Sequence, residues 1–379
     1  MSRPLRIVML VTGTFDYAVP LSNALARQGL EVVLGVPANK FGSLGRWVSP
    51  AVELVSFPDW PRFRSLRNPF FMRKLARWVL EQRPDVLHLQ HIDLWLPLIL
   101  PRVRSIPVVT TLHDVEHHPG DWQSRKTLPL VRRYQVRRSD LIIVHGESLR
   151  RWAIDKYALD PQRVHVRPHG VHELYRQAYD GGFRLPDHEG PTVLFFGRIM
   201  PYKGLPLLLE ANRLLRAWIP NVRLVIAGSG EDVEALIARY DAEGKNYLVH
   251  NRYIPIEHVG AYFEAADVVA LPYIEASQSG VAAVAYAFGK PVVATAVGGL
   301  PELVLDGRTG RIVPPRDVRA LARALAEVLT DPAARQRMQA AIAEQVAGPL
   351  NWDRIAQSTI ALYEHLCRRH LPALYAYSS

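Results

Sequence analysis

The sequence predicts an α/β protein made of two doubly wound, parallel-sheet domains facing across a cleft. Three observations carry this. Short apolar runs rich in Val, Ile and Leu alternate with segments of helical periodicity. The alternation stops once, in a Gly-, Pro- and charge-rich stretch at residues 180–191, and then begins again. The length, 379 residues, suits two domains of ordinary size.

The elements follow in order. Residues 5–11 form a buried strand; residues 19–28 place Leu21, Ala24 and Leu25 on one helical face, and Gly29 ends that helix. Residues 31–36 are the next strand. A helix over 70–82 precedes strands at 85–89, 107–112 and 141–144, with a further strand at Val164. After the break come a strand at 192–196, a helix at 205–218, a strand at 222–227 and a helix from Glu231. Strands at 267–271 and 291–295 continue the second sheet. The expected organisation is residues 1–180 as an N-terminal domain and 190–350 as a C-terminal one. Residues 351–379 are expected as a helix and tail packing back toward the N-terminal domain. Open parallel sheets bind ligands at the carboxyl ends of their strands, which makes the cleft the expected site.

Hydrophobic residues are 49% of the chain and charged residues 22%, which excludes a disordered, collagen-like or coiled-coil protein. The single cysteine, Cys367, allows no intrachain disulfide and fits a reducing compartment. No apolar run nears the roughly 18 residues of a bilayer span. The apolar start is too short for a signal peptide and carries no small-residue cleavage site, so a cytoplasmic protein is expected. The net charge is +10, and all of it lies in residues 1–180, with 26 basic and 16 acidic side chains. That half is expected to meet something anionic, or else to be a solvated Arg-rich surface.

Candidate chemistry clusters after strands. Gly197-Arg198 is followed five residues later by Lys203 and then Gly204, just before a helix. Two fixed cations beside free N–H groups make an anion site. Glu275, Ser277, Gln278, Ser279 and Gly280 lead into another helix, where small polar residues cap the helix or leave N–H groups for a phosphate. Gly298-Gly299 and Pro301-Glu302 form a tight loop whose carboxylate suits sugar or ribose hydroxyls, or simply starts a helix. Gly228-Ser229-Gly230 is only half a dinucleotide fingerprint, since position 233 is valine, and a nicotinamide enzyme is discounted. His113-Asp114, Glu116, His117, His118 and Asp121 invite a metal reading. The spacing is not that of a zinc helix, and a polar loop with one residue touching the substrate is preferred. Pro168-His169-Gly170 offers a second wall.

Together these segments resemble the family 4 glycosyltransferases, which have the two-Rossmann GT-B fold. The likeness rests on Gly197-Arg198 with Lys203-Gly204, on Ala265-Ala266-Asp267-Val268 with Leu271-Pro272, and on Gly289 through Thr295 with Gly298-Gly299 and Pro301-Glu302. His113-Asp114 and Pro168-His169-Gly170 add to it. The resemblance implies a retaining transfer of sugar from a nucleotide-diphosphate sugar to a glycan or lipid-linked acceptor, in surface polysaccharide or glycolipid assembly. It implies that Arg198 and Lys203 neutralise the departing diphosphate and that His113 sits near the reacting sugar. No metal ion and no cofactor beyond the donor are then required. Gly197, Glu275, Ser277, Gln278, Ser279, Gly280, Glu302 and Gly13 become the candidate donor contacts. The sequence departs from the family at its two glutamates eight apart, whose places fall on Ala276 and Val284. It departs again at the first loop, where Gly13 stands alone among residues 12–17.

Residues 60–80 carry six basic side chains and no acid. Phe71, Leu75 and Trp78 share one helical stripe while Arg73, Lys74 and Arg77 lie elsewhere. This reads as an element for an anionic membrane surface or as a core-facing helix with a solvated basic side. Nucleic acid is not an expected partner. The rival functions are a sugar-nucleotide 2-epimerase of the same architecture and a basic membrane- or nucleic-acid-binding module.

Overall fold

The computed structural model describes residues 3–62, 65–115 and 128–375, and it separates the chain into two compact units. The first unit contains the described residues to 115, those from 128 to 168, and those from 351 onward. Its seven strands are β1 (Arg6–Leu10), β2 (Glu31–Pro37), β3 (Val52–Phe57), β4 (Val86–Leu89), β5 (Val108–Thr111), β6 (Leu141–Val144) and β7 (Val164–Val166). They lie in the order β3-β2-β1-β4-β5-β6-β7, with every recorded pairing parallel.

Parallel strands are covered on both faces, so their side chains must be apolar on both. β1 shows this residue by residue. Ile7 and Met9 join a core with Leu21, Leu25, Trp352 and Tyr363, whereas Val8 and Leu10 join another with Met72, Leu75 and Leu96. The helices Phe15–Arg27 and Trp352–Tyr375 thus share one face, and Asn68–Glu81 covers the other.

The second unit, residues 169–350, has six strands: β8 (Thr192–Phe196), β9 (Arg223–Gly228), β10 (Tyr247–Asn251), β11 (Val268–Leu271), β12 (Val292–Thr295) and β13 (Gly310–Val313). Their order is β10-β9-β8-β11-β12-β13, again parallel. Leu194 faces one core and Val193 and Phe195 the other. In each sheet the chain winds outward on one side and then returns to wind outward on the other. The reversal falls between β1 and β4 in the first unit and between β8 and β11 in the second. Crevices at such reversals sit at the carboxyl ends of strands whose following loops turn apart.

The structure differs from expectation in several places. The division falls at Pro168–His169, ahead of the 180–191 stretch. The helix Glu173–Ala178 belongs to the second unit because the His172 N–H donates to the Ala283 carbonyl at 3.3 Å, and Val171 and Tyr175 join that unit's core. The first helix begins at Phe15 rather than Val19. β3, β10 and β13 and the helix Pro129–Arg138 have no clear apolar pattern: β10 is only half-buried, and the helix turns Arg132, Gln135 and Val136 inward. The Phe71–Leu75 stripe packs into the core, as does Trp60, so neither is offered to a membrane. No described helix is long and apolar enough to cross a membrane.

Candidate active site

The second unit's crevice is built from the loops after β8, β11 and β12. β8 ends at Phe196, Gly197 and the exposed Arg198 follow it, and a short 3-10 turn, Pro201–Lys203, leads into the helix Leu205–Trp218. Gly204 joins turn to helix at φ +69°, and a Cβ there would lie 2.1 Å from the Pro272 carbonyl oxygen. Only glycine lets the β8 loop approach the β11 loop this closely. The Ile274 N–H donates to the Tyr202 carbonyl at 2.7 Å and ties the two loops together.

That closeness positions Lys203. Its side chain is buried, with Nζ 3.0 Å from the position a Cβ would take on Gly197 and 5.4 Å from the ring centroid of Tyr273. A cation over an aromatic face is held electrostatically, more firmly when desolvated. Burial pushes the Tyr273 phenol up to about 12, against the hydrogen bond from Ser279 and the charge of Arg198. The phenol therefore stays neutral, and the net local charge is positive.

The adjoining helix, Gly280–Ala287, starts one residue earlier than the sequence suggested. Ser279 caps it, its Oγ accepting from the Ala282 N–H at 3.4 Å. Ser277 is fully buried and its Oγ has no hydrogen-bond partner. A Cβ on Gly280 would meet His172 Nε2 at 3.2 Å. The Gly299 N–H donates to the Ser277 carbonyl at 3.0 Å, which draws the β12 loop onto the same spot. A helix start, a buried ammonium, an exposed guanidinium and an unpartnered hydroxyl converge on one crevice. Such a set binds an anion with several oxygens.

In the first unit the same kind of crevice is lined by residues after β1, β4, β5 and β6. Thr14 sits in the left-handed region at φ 52°, its hydroxyl 3.4 Å from the Gln90 carbonyl. Thr12 Oγ1, Gln90 Oε1, Gln135 Oε1 and Arg132 Nε are buried without partners. Backbone strain and unmet polar atoms gather at binding sites rather than in structural cores. His113 lies between two partners: its Nε2 is 3.1 Å from the Gln90 carbonyl and its Nδ1 is 3.0 Å from His145 Nε2. His145 Nδ1 is in turn 3.0 Å from the Arg167 carbonyl. Arg132 donates to the Asp114 carbonyl at 2.5 Å.

Two sequence models map onto these two units: residues 11–173 match Glycosyltransferase Family 4, and residues 190–331 match Glycosyl transferases group 1. The chain is 30% identical to a glycogen synthase of Mycobacterium tuberculosis over 74% of its own length and 69% of the relative's. The chain belongs to the family 4 glycosyltransferases. It is a sugar-transferring enzyme with the GT-B pair of Rossmann-like domains. It is also 28% identical to a phosphatidyl-myo-inositol mannosyltransferase of Mycobacterium leprae, over 95% of this chain and 96% of that one. Among solved structures, Anabaena HepE in complex with UDP-glucose superposes with a TM-score of 0.69 at 17% identity, covering 95% and 100% of the two chains.

Within this glycosyltransferase, the structure brings Gly197, Lys203, Ser277, Ser279 and Gly280 around one crevice, with Arg198 acting on the same Tyr273 phenol. Glu275 is half-buried on the same loop, and the Gln278 amide lies 2.5 Å from where a Cβ on Gly299 would stand. Glu302 is exposed in the short helix Leu300–Leu303. Gly13 and His113 belong to the first unit. The motif at Gly228 serves packing, since a Cβ there would sit 1.9 Å from the Gly197 carbonyl, and the next helix begins only at Val233 under an Asp232 cap. Glu116, His117, His118 and Asp121 fall outside the described residues. Sequence reasoning missed Tyr273, His172, Gln90 and His145. Of these, only Tyr273 carried a signal, as the aromatic next to Leu271-Pro272.

Proposed function

We propose that the enzyme moves a sugar from a nucleoside-diphosphate sugar to a glycan or lipid-linked acceptor, with retention at the anomeric carbon and without a metal ion. The product would belong to a surface polysaccharide or glycolipid. The observation that carries this is the buried Lys203 ammonium beside Gly197, with Arg198 on the same loop and the Ser279-capped helix start facing it. As the bond from the anomeric carbon to the diphosphate oxygen breaks, negative charge grows on the leaving group. The acceptor oxygen bonds to that carbon on the face the diphosphate leaves, and its proton passes to the departing diphosphate oxygen. Cations already in place stabilise this transition state without reorganising, so they act on rate rather than on affinity alone. Two such cations do what a divalent metal would do. Anabaena HepE, bound to UDP-glucose, supports a nucleotide-sugar donor.

Lys203→Ala is expected to keep the fold and lower turnover by about 10²-fold or more. The assay follows nucleoside-diphosphate release from UDP-, GDP- and ADP-sugars and reads the anomeric configuration of the product. Near-normal turnover in the variant would remove Lys203 from catalysis.

The enzyme is further proposed to work at the inner face of a membrane. Leu66 and Phe70 are 92% and 71% exposed. Arg73, Lys74 and Arg77 are exposed on the following turns of the same helix. An apolar tip among cations fits an anionic lipid surface.

A further inference from the structure

We propose that the helix Pro129–Arg138 is a second membrane-binding element, which lays the first unit on an anionic leaflet together with the helix Asn68–Glu81. The helix has two unlike faces. Arg132, Gln135 and Val136 are buried. Arg132 donates to the Asp114 carbonyl at 2.5 Å and the Gln135 amide to the His91 carbonyl at 3.1 Å, which fixes the helix to the loops after β5 and β4. Outward stand Leu130 at 79% exposure, Tyr134 at 39% and, just ahead of the helix, Leu128 at 59%. Arg133, Arg137 and Arg138 are exposed among them. From residue 128 to residue 139 the chain holds four arginines and no acid.

Position in the fold joins this face to that of Asn68–Glu81. Leu141 and Ile143 of β6 join the core covered by the first helix and the C-terminal helix, whereas Ile142 and Val144 lie on the opposite side with Val136. Side chains alternate along a strand, so Pro129–Arg138 lies on the sheet face that Asn68–Glu81 also covers. The 3-10 turn Leu96–Ile99 packs against both helices and leaves Leu98 exposed. Leu66, Phe70, Leu98, Leu128, Leu130 and Tyr134 thus stand out from three consecutive parts of one face. On the next helix, Glu147–Tyr157, Glu147 and Asp155 are exposed, and the cationic character gives way.

Charge decides what covers this face. Apolar side chains standing among arginines suit acyl chains beneath a layer of lipid phosphates, whose oxygens arginine grips two at a time. A second copy of the chain would bring like charge against like. A helix is about 10 Å across, so the loops after β4 and β5 stand within one helix width of the leaflet. The inference rests on the membrane location proposed above. One weak anchor attaches reversibly, whereas two together hold, so loss of the cations of either helix is enough to end the anionic preference.

The test is sedimentation of the full chain with phosphatidylcholine vesicles, with and without phosphatidylglycerol. Arg133→Ser with Arg138→Ser should lower the partition onto phosphatidylglycerol vesicles about tenfold or more at low salt. Arg133→Lys with Arg138→Lys, which keeps the charge, should bind as the wild type does. Leu130→Ser with Tyr134→Ser should lower the part that survives high salt by about threefold or more. Each of these variants should keep the wild-type unfolding temperature and the thermal stabilisation that UDP, GDP or ADP gives the wild type. If both serine double variants bind vesicles like the wild type, while Arg73→Ser, Lys74→Ser and Arg77→Ser together release the chain, this inference is overturned and the membrane location stands. A wild type that ignores phosphatidylglycerol vesicles would overturn the membrane location itself.

Discussion

Gly204 and Gly13 stand in matching places, each just ahead of the first helix after a central strand, yet they answer to different demands. At Gly204 the fold requires glycine: the residue is left-handed and a Cβ would collide with the Pro272 carbonyl. Gly204→Ala should destabilise the chain by about 1–3 kcal/mol, measured by denaturant unfolding, and should weaken donor binding as the β8 and β11 loops part. At Gly13 a Cβ would meet no atom within 4 Å. Gly13→Ala should therefore change stability by less than about 0.5 kcal/mol. A clear loss of activity at unchanged stability would mark Gly13 as a ligand contact. Lys203 was readable from its place before Gly204, because a lysine between a strand and a helix start has an evident use. His145 was not, because its partner Arg167 carbonyl comes from a different strand.

The helix Asn68–Glu81 shows what one element can carry on two faces. Met72, Leu75, Ala76 and Val79 are buried, and this inward stripe accounts for the apolar periodicity in the sequence. What remains for a membrane is Phe70, Leu66 and the exposed cations. Each cation near an anionic leaflet contributes about 1 kcal/mol, screened by salt, while a buried aromatic adds a part that salt does not remove. Replacing Arg73, Lys74 and Arg77 together with Ser should abolish the preference for anionic over neutral vesicles in a sedimentation assay and leave nucleotide binding intact. Phe70→Ser should reduce the salt-resistant fraction. A wild-type chain that ignores anionic vesicles at low salt would assign the basic half to a soluble anionic acceptor.

At the scale of the molecule, the first unit closes on itself through its two ends. Trp352, Ile355 and Tyr363 join the core of β1 and the first helix, and the Tyr363 hydroxyl lies 2.5 Å from Nδ1 of His88. His88 is fully buried on β4, and burial lowers its pKa from 6.5 to about 3. The sign is that of a depressed group. The unfolded chain takes up this proton below about pH 6.5 while the folded chain refuses it down to about pH 3. Stability from this residue is complete above that window and declines through it as pH falls, by up to about 1.4 kcal/mol per pH unit. His88→Gln should flatten the acid limb of stability against pH, as followed by thermal unfolding from pH 7 to pH 4. An unchanged limb would show that other buried histidines, such as His91, carry it.

The sequence by itself determined the class of fold, most of the strands, the restart of the pattern after residue 191 and the glycine- and cation-bearing loop at Gly197 to Gly204. These are local matters. A buried parallel strand must be apolar along its length, and a loop that meets a phosphate needs its glycine and cations close together in the chain. The tertiary structure alone decided that the helix Glu173–Ala178 belongs with the second unit, that Trp60 and Phe71 turn inward, and that Tyr273 lies beside Lys203. It alone placed His113 against His145 and Gln90. The contacts of Tyr273 with Lys203 and of His113 with His145 and Gln90 join loops that follow neighbouring strands of a sheet but stand far apart in the chain. Strand order sets them, and no periodicity along the sequence records strand order.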